Sequence, residues 1–137
     1  KIVETVVHEF CHSFTKIKGD TEKALERSGR ILQGYTRFSM KRQAYDTWKN
    51  IMEESLVRAA TICYLIDHDY SEKAVRGAIS EQVDLNFFWM PELVQTLRYY
   101  ESHRRKYPTF TSFWPEIVRF FDDYVADREK QMSKAMK

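Results

Sequence analysis

Apolar residues near the start of the chain recur three and four positions apart: Val3, Val6, Val7, Phe10, Phe14 and Ile17. That is the period of one helical face, so the spacing predicts a helix whose apolar stripe needs a core to cover it. Gly19-Asp20 ends it and caps a second helix, Thr21 to about Gln33, which closes at Gly34. From Tyr35 to Arg42 the residues are polar and aromatic with no clear period, which reads as a surface loop. The longest pattern follows, from about Tyr45 to Ile66. Its apolar positions, among them Trp48, Ile51, Met52, Leu56, Ala59, Ile62 and Cys63, cover much of the circumference, so this helix is expected to be central and mostly buried.

The chain then turns at Asp67-His68-Asp69-Tyr70, where His68 reads as part of an exposed turn and helix cap rather than as a metal ligand. Ser71 to about Leu85 predicts a helix that Asn86 interrupts. Phe87-Phe88-Trp89-Met90 is the most apolar short run and is expected in the core. Pro91 suits the first turn of a helix reaching about Arg105, with Leu93, Val94, Leu97 and Tyr100 inward; Tyr107-Pro108 stops it. Ser112-Phe113-Trp114-Pro115 starts the last helix, with Pro115 in its first turn and Ile117, Phe120, Phe121 and Tyr124 as its buried stripe. Beyond Asp127 the residues are charged, and 128–137 reads as an exposed or frayed helical tail. No strand pattern and no repeat is present, so the fold class is mainly α, with about six helices in a single domain spanning residues 1–137.

Composition narrows the class. The 137 residues fit one core, and 43% hydrophobic with 31% charged residues describe a globular chain with no membrane span. Its 22 basic and 20 acidic residues are interspersed, which argues against a nucleic-acid footprint. Cys11 and Cys63 are too few for a disulfide framework and read as free thiols, which leaves the compartment undecided. The chain opens directly into a helical pattern without an initiator Met, and the expectation is a piece of a longer protein.

Chemistry enters with His8-Glu9-Phe10-Cys11-His12, a His-Glu-x-x-His pattern inside the first helical stretch. Residues four apart on a helix lie one above the other, so His8 and His12 can point two imidazole nitrogens at one Zn²⁺. Glu9 is turned about 100° round the helix, beside the metal, where it can take a proton from water there as general base. In the central helix, Glu54 lies among apolar residues, where a carboxylate is costly unless paired, hydrogen-bonded or bound to metal. Two histidines and a glutamate form a known catalytic zinc set, so Glu54 fits the third ligand.

His8-Glu9-x-x-His12 followed on a second helix by Glu54 resembles the gluzincin branch of the zincin metallopeptidases. More narrowly, Val7 to Phe14, Ala44-Tyr45-Asp46-x-Trp48, Glu54-Ser55-Leu56-Val57-Arg58-Ala59 and Tyr107-Pro108-Thr109-Phe110 look like an uncharacterised bacterial family of zincin-like proteins. The resemblance implies a zinc-dependent hydrolase of peptide bonds acting on a peptide or protein substrate, with His8, His12 and Glu54 as ligands and Glu9 as base. It also implies a secreted or cell-envelope location. Two departures stand out. Many gluzincins carry an aspartate four residues after the third ligand to orient a histidine. Here that position is Arg58, which cannot accept the imidazole N–H but can neutralise a carboxylate or bind a substrate carboxylate, unless it forms a plain salt bridge that anchors the helix, the reading preferred for it. Zincins also have a β-sheet before the motif helix, for which this chain has no room, so the expected fold is the helical part of a zincin lacking its N-terminal sheet. For the transition-state donor, Tyr45 is the first candidate, with Tyr35 and Arg37 beside it.

Two other classes stay open. A helical binding or scaffold domain would retain the motif without catalysis. An RNA-cleaving, toxin-like helical domain would use Arg98 and His103, whose Arg-x-x-x-x-His spacing matches a short signature of that class.

Overall fold

The fold is that of a computed structural model, described for residues 7–8, 11–42 and 47–136, with only the backbone described at 37–42. Five helices follow one another: α1 Gly19–Arg42, α2 Trp48–Asp67, α3 Glu72–Asp84, α4 Met90–Ser102 and α5 Phe110–Ala135. Ahead of them, Val7, His8 and Cys11 carry helical backbone. No strand occurs among the described residues, and the mainly α expectation holds. No helix there is long and apolar enough to cross a membrane.

Helix α2 packs against α1, α3 and α4, and α5 against α1 and α4, so α1, α2, α4 and α5 close a ring with α3 laid outside it. The ring encloses Leu25, Leu32, Ile51, Met52, Leu93, Leu97, Phe113, Ile117, Phe121 and Val125. Every residue from Ile51 to Val57 is buried, which matches the wide apolar arc read from the sequence of α2, whereas α3 buries none of its residues fully. Phe87, Trp89 and Met90 are fully buried, with the Trp89 indole N–H donating to Ser55 Oγ at 2.9 Å, so the apolar run before α4 is core as expected except at Phe88, which is 37% exposed.

Three boundaries differ from the sequence reading. Gly34 does not end α1, and the expected loop at 35–42 is helical. Leu32 and Thr36 are buried there and the Thr36 hydroxyl donates to Leu32 O at 3.0 Å, so packing against α2 and α5 carries the helix past a glycine that local preference alone would read as its end. The opening helix, expected to run to Gly19, gives way to a turn at 12–14 and non-helical chain at 15–18. There Cys11 O takes both Phe14 N (3.0 Å) and the Thr15 hydroxyl (3.3 Å), and Gly19 enters α1 at φ +62°, a conformation that suits glycine. Finally, α5 starts at Phe110 under a capping box of Thr109 and Ser112, which places Pro115 in the second turn rather than the first. The start predicted near Tyr45 for the central helix lies outside the described residues; its observed N-cap is Thr47, whose side chain accepts from Asn50 N. Asn86 adopts φ 74° after α3 and His68 caps α2, both at the breaks read from the sequence.

Candidate metal centre

Glu54 sits in the second turn of α2 and is only 4% exposed. An isolated carboxylate at that depth would cost several kcal/mol, so its partners decide whether the turn is stable. Arg58, one helical turn on, donates Nε–H to Glu54 Oε1 at 3.1 Å. The guanidinium is held from behind by Gln82 of α3, which accepts from its NH1 group at 2.7 Å, and by the Phe87 ring, 4.8 Å below its central carbon. Arg58 thus forms a salt bridge within α2, the contact that the helix-anchoring reading of this residue required.

The imidazoles approach the same carboxylate from the other direction. His8 Nε2 lies 3.1 Å from Glu54 Oε1, and His12 Nε2 lies 3.5 Å from Glu54 Oε2. The two rings are 5.0 Å apart and inclined at 71°, so their Nε2 atoms converge instead of stacking. One ligand atom from each of the three residues falls within 4.8 Å of the others. The two separations run to different oxygens of the Glu54 carboxylate, so the imidazoles flank it from either side at a spacing within reach of one ion. The donor set of two imidazole nitrogens and one carboxylate oxygen also suits zinc. His8 and His12 keep 25% and 35% of their side chains exposed, which leaves a side of the cluster open to a fourth ligand. His8, His12 and Glu54, singled out in the sequence, are therefore brought together.

The chain behind the histidines is tied to α2 by a contact the sequence reading did not identify. Glu53, 9% exposed, accepts the Ile17 backbone N–H on Oε2 at 2.6 Å. Two neighbouring carboxylates in an apolar helix were the available signal, but the pattern alone does not say which of the pair faces the histidines. Nor did the pattern link Arg58 to the residues that hold it, since Phe87 read only as part of an apolar core run and Gln82 only as a position within the next helix.

Other candidates are placed differently. Glu9, Tyr45 and the side chain of Arg37 lie outside the described residues. Tyr35 packs against the core from α1. Cys11 and Cys63 are free thiols, as expected; burial pushes both thiols up, so they stay protonated, and neither belongs to the ligand group. Val7 and Cys11, each one residue before a histidine, line an apolar trough of about 610 Å³ together with Leu56, Ala60, Leu97 and Phe110. Arg98 is engaged by Asp67 and by Glu101, while His103 Nδ1 lies 2.8 Å from Tyr99 O, so each member of the RNA-cleaving pair is occupied within its own surroundings. His68 Nδ1 contacts Tyr64 O at 2.9 Å, in keeping with a cap.

Comparison with known proteins gives one positive finding: the model of a family described as a domain of unknown function, DUF4932, matches residues 1–120. Neither the curated proteins nor the solved structures contain a match.

Proposed function

The chain belongs to the DUF4932 family, and for this member we propose zinc-dependent hydrolysis of peptide bonds, carried out by the helical part of a zincin-like domain. The observation that carries the reading is the convergence of His8 Nε2 and His12 Nε2 on the two oxygens of the Glu54 carboxylate at 3.1 and 3.5 Å, with one ligand atom from each residue within 4.8 Å of the others. His8, His12 and Glu54 would hold Zn²⁺, which when bound supplies Lewis acidity toward a peptide carbonyl and toward water. Glu9, adjacent to His8 in the His-Glu-x-x-His pattern, is assigned the general-base role. Arg58 would hold Glu54 in place and balance its charge, itself supported by Gln82 and Phe87.

Purified protein should carry about one zinc per chain by metal analysis, with His8→Ala and Glu54→Ala reducing that to background. Glu9→Gln should retain the metal and lose cleavage of an unstructured protein substrate. Zinc-free wild type, or cleavage that survives in Glu9→Gln, would refute the assignment.

One observation favours a second reading, a helical binding domain that retains the motif. Arg58 already balances the charge of Glu54, so the buried turn of α2 does not depend on an ion for its stability. That domain would keep its fold and its melting temperature unchanged on addition of chelator or zinc.

A further inference from the structure

Three ligands on two parts of the chain make a metal centre only if those parts are held in register. Functional groups generally need placement to within about 0.5 Å, and ligands at the end of a short, non-helical segment do not achieve it unaided. His8 and His12 precede α1, Glu54 is in α2, and the residues at 15–18 that lead away from the histidines are neither helical nor paired in a strand.

We propose that Glu53 is the positioning residue of this centre: its buried carboxylate, by accepting the Ile17 N–H, fixes the histidine-bearing segment against the turn of α2 that presents Glu54. The role rests on the metal-centre reading above. Neighbouring residues on a helix project about 100° apart, so Glu53 and Glu54 leave the same turn in two directions. One meets the imidazoles, and the other meets the chain five residues beyond His12. The tie is short, 2.6 Å from Ile17 N to Glu53 Oε2, and both partners are buried, at 1% and 9% exposure.

The path from His12 to this anchor is itself constrained. Cys11 O accepts from Phe14 N and from the Thr15 hydroxyl, Thr15 is 3% exposed, and the Ile17 side chain is inserted in the core. Rigid links therefore run from the backbone beside His12 to Ile17, from Ile17 to Glu53, and along one peptide unit to Glu54. The Glu53 bond adds a polar tie to the packing of Ile17 and of the trough shared by Val7, Cys11 and Leu56.

The test is zinc affinity, measured by competition with a chromogenic chelator, in the full chain and at a temperature where circular dichroism shows each metal-free variant fully helical. Glu53→Ala removes the acceptor and should weaken zinc binding by about tenfold to a hundredfold, the range for groups that orient metal ligands. Glu53→Asp keeps the charge but withdraws the oxygen by one methylene, and should weaken it in the same direction; it also serves if Glu53→Ala does not fold. Glu53→Gln keeps an oxygen acceptor in place and should stay within roughly threefold of wild type. A merely structural tie would lower the unfolding midpoint of the metal-free variants and leave the affinity of the folded protein unmoved, which overturns the proposal. Equal losses in Glu53→Gln and Glu53→Ala also overturn it, because charge and not the bond to Ile17 would then be responsible. A wild type that takes up no zinc removes the metal centre and this role with it. That outcome is distinct from a wild type that binds zinc beside an equally tight Glu53→Ala, where the positioning role alone fails.

Discussion

In the ion pair of Arg58 with Glu54 the carboxylate is nearly sealed from water, at 4% exposure, and the guanidinium is 17% exposed. Removing one member of such a pair leaves an uncompensated buried charge, which is far costlier than the loss of a surface bridge. Arg58→Met should therefore destabilise the metal-free protein by roughly 2–4 kcal/mol in urea unfolding. Excess zinc should restore part of that loss, because a cation at the histidines would replace the missing positive charge. An equal loss with and without zinc would mean that the ion does not share Glu54 with Arg58. The contrast with Arg76–Glu72 is instructive: that pair has the same i, i+4 spacing, but both side chains are at least 70% exposed, and its removal should be close to neutral. Spacing alone shows that both pairs can form. Burial decides which one matters.

At the scale of elements, the crossing of α1 with α2 depends on a glycine. A Cβ at Gly29 would lie 2.4 Å from Cε3 of Trp48, and Trp48 is itself buried at the start of α2. Gly29→Ala should gain less than about 1 kcal/mol from helix propensity but cost roughly 1–3 kcal/mol through overpacking, so it should lower stability on balance. Gly34, on the same helix, has nothing within 4 Å of a Cβ, and Gly34→Ala should raise stability by about 0.5–1 kcal/mol. Denaturant midpoints of the two variants should move in opposite directions. This pair also explains the misplaced helix end. Two glycines in one helix look alike in sequence, and the one read as a stop is tolerated on an exposed surface while the other is required by a close approach. Pro115 makes the same point in α5: its missing N–H deprives the carbonyl of Thr111, an exposed residue, so solvent can serve that carbonyl and the helix continues.

For the whole molecule, the pH dependence of stability should be shaped over one window by a cluster separate from the candidate centre, on the far part of the trough that Val7 and Cys11 also line. Between the ends of α2 and α4, Arg98 contacts both Asp67 and Glu101, with Cys63 alongside. Burial, followed by the hydrogen bond and charge of Asp67, pushes Glu101 up to about 7, while the same hydrogen bond holds Asp67 below the usual carboxylate range. Because the folded form binds this proton more tightly than the unfolded chain, the contribution of Glu101 is complete below about pH 4.5 and is lost as pH rises through about 7. Asp67 acts in the opposite sense, at lower pH, where its contribution is lost on acidification. Glu101→Gln retains a donor toward Asp67 and should flatten the decline in urea midpoint seen in the wild type between about pH 5 and about 7.5. An unchanged slope would show that Glu101 does not hold the proton.

What this sequence determined by itself was the kind of structure and the inventory of its chemistry. Apolar residues at helical spacing, the wide apolar arc around Ile51–Cys63 and the core run before Pro91 required helices packed on a central one, because those periods have no other way to be buried. His8 and His12 were legible as a pair because four residues make one helical turn, a purely local relation. What only the tertiary structure decided was azimuth and partnership between elements: that Glu54 faces the histidines while Glu53 takes the Ile17 N–H, that Gln82 and Phe87 hold Arg58, and that α1 runs on to Arg42. The physical reason is that a residue's neighbours along the helix follow from its own spacing, whereas the direction from which another helix covers it is set by how all of the side chains pack at once.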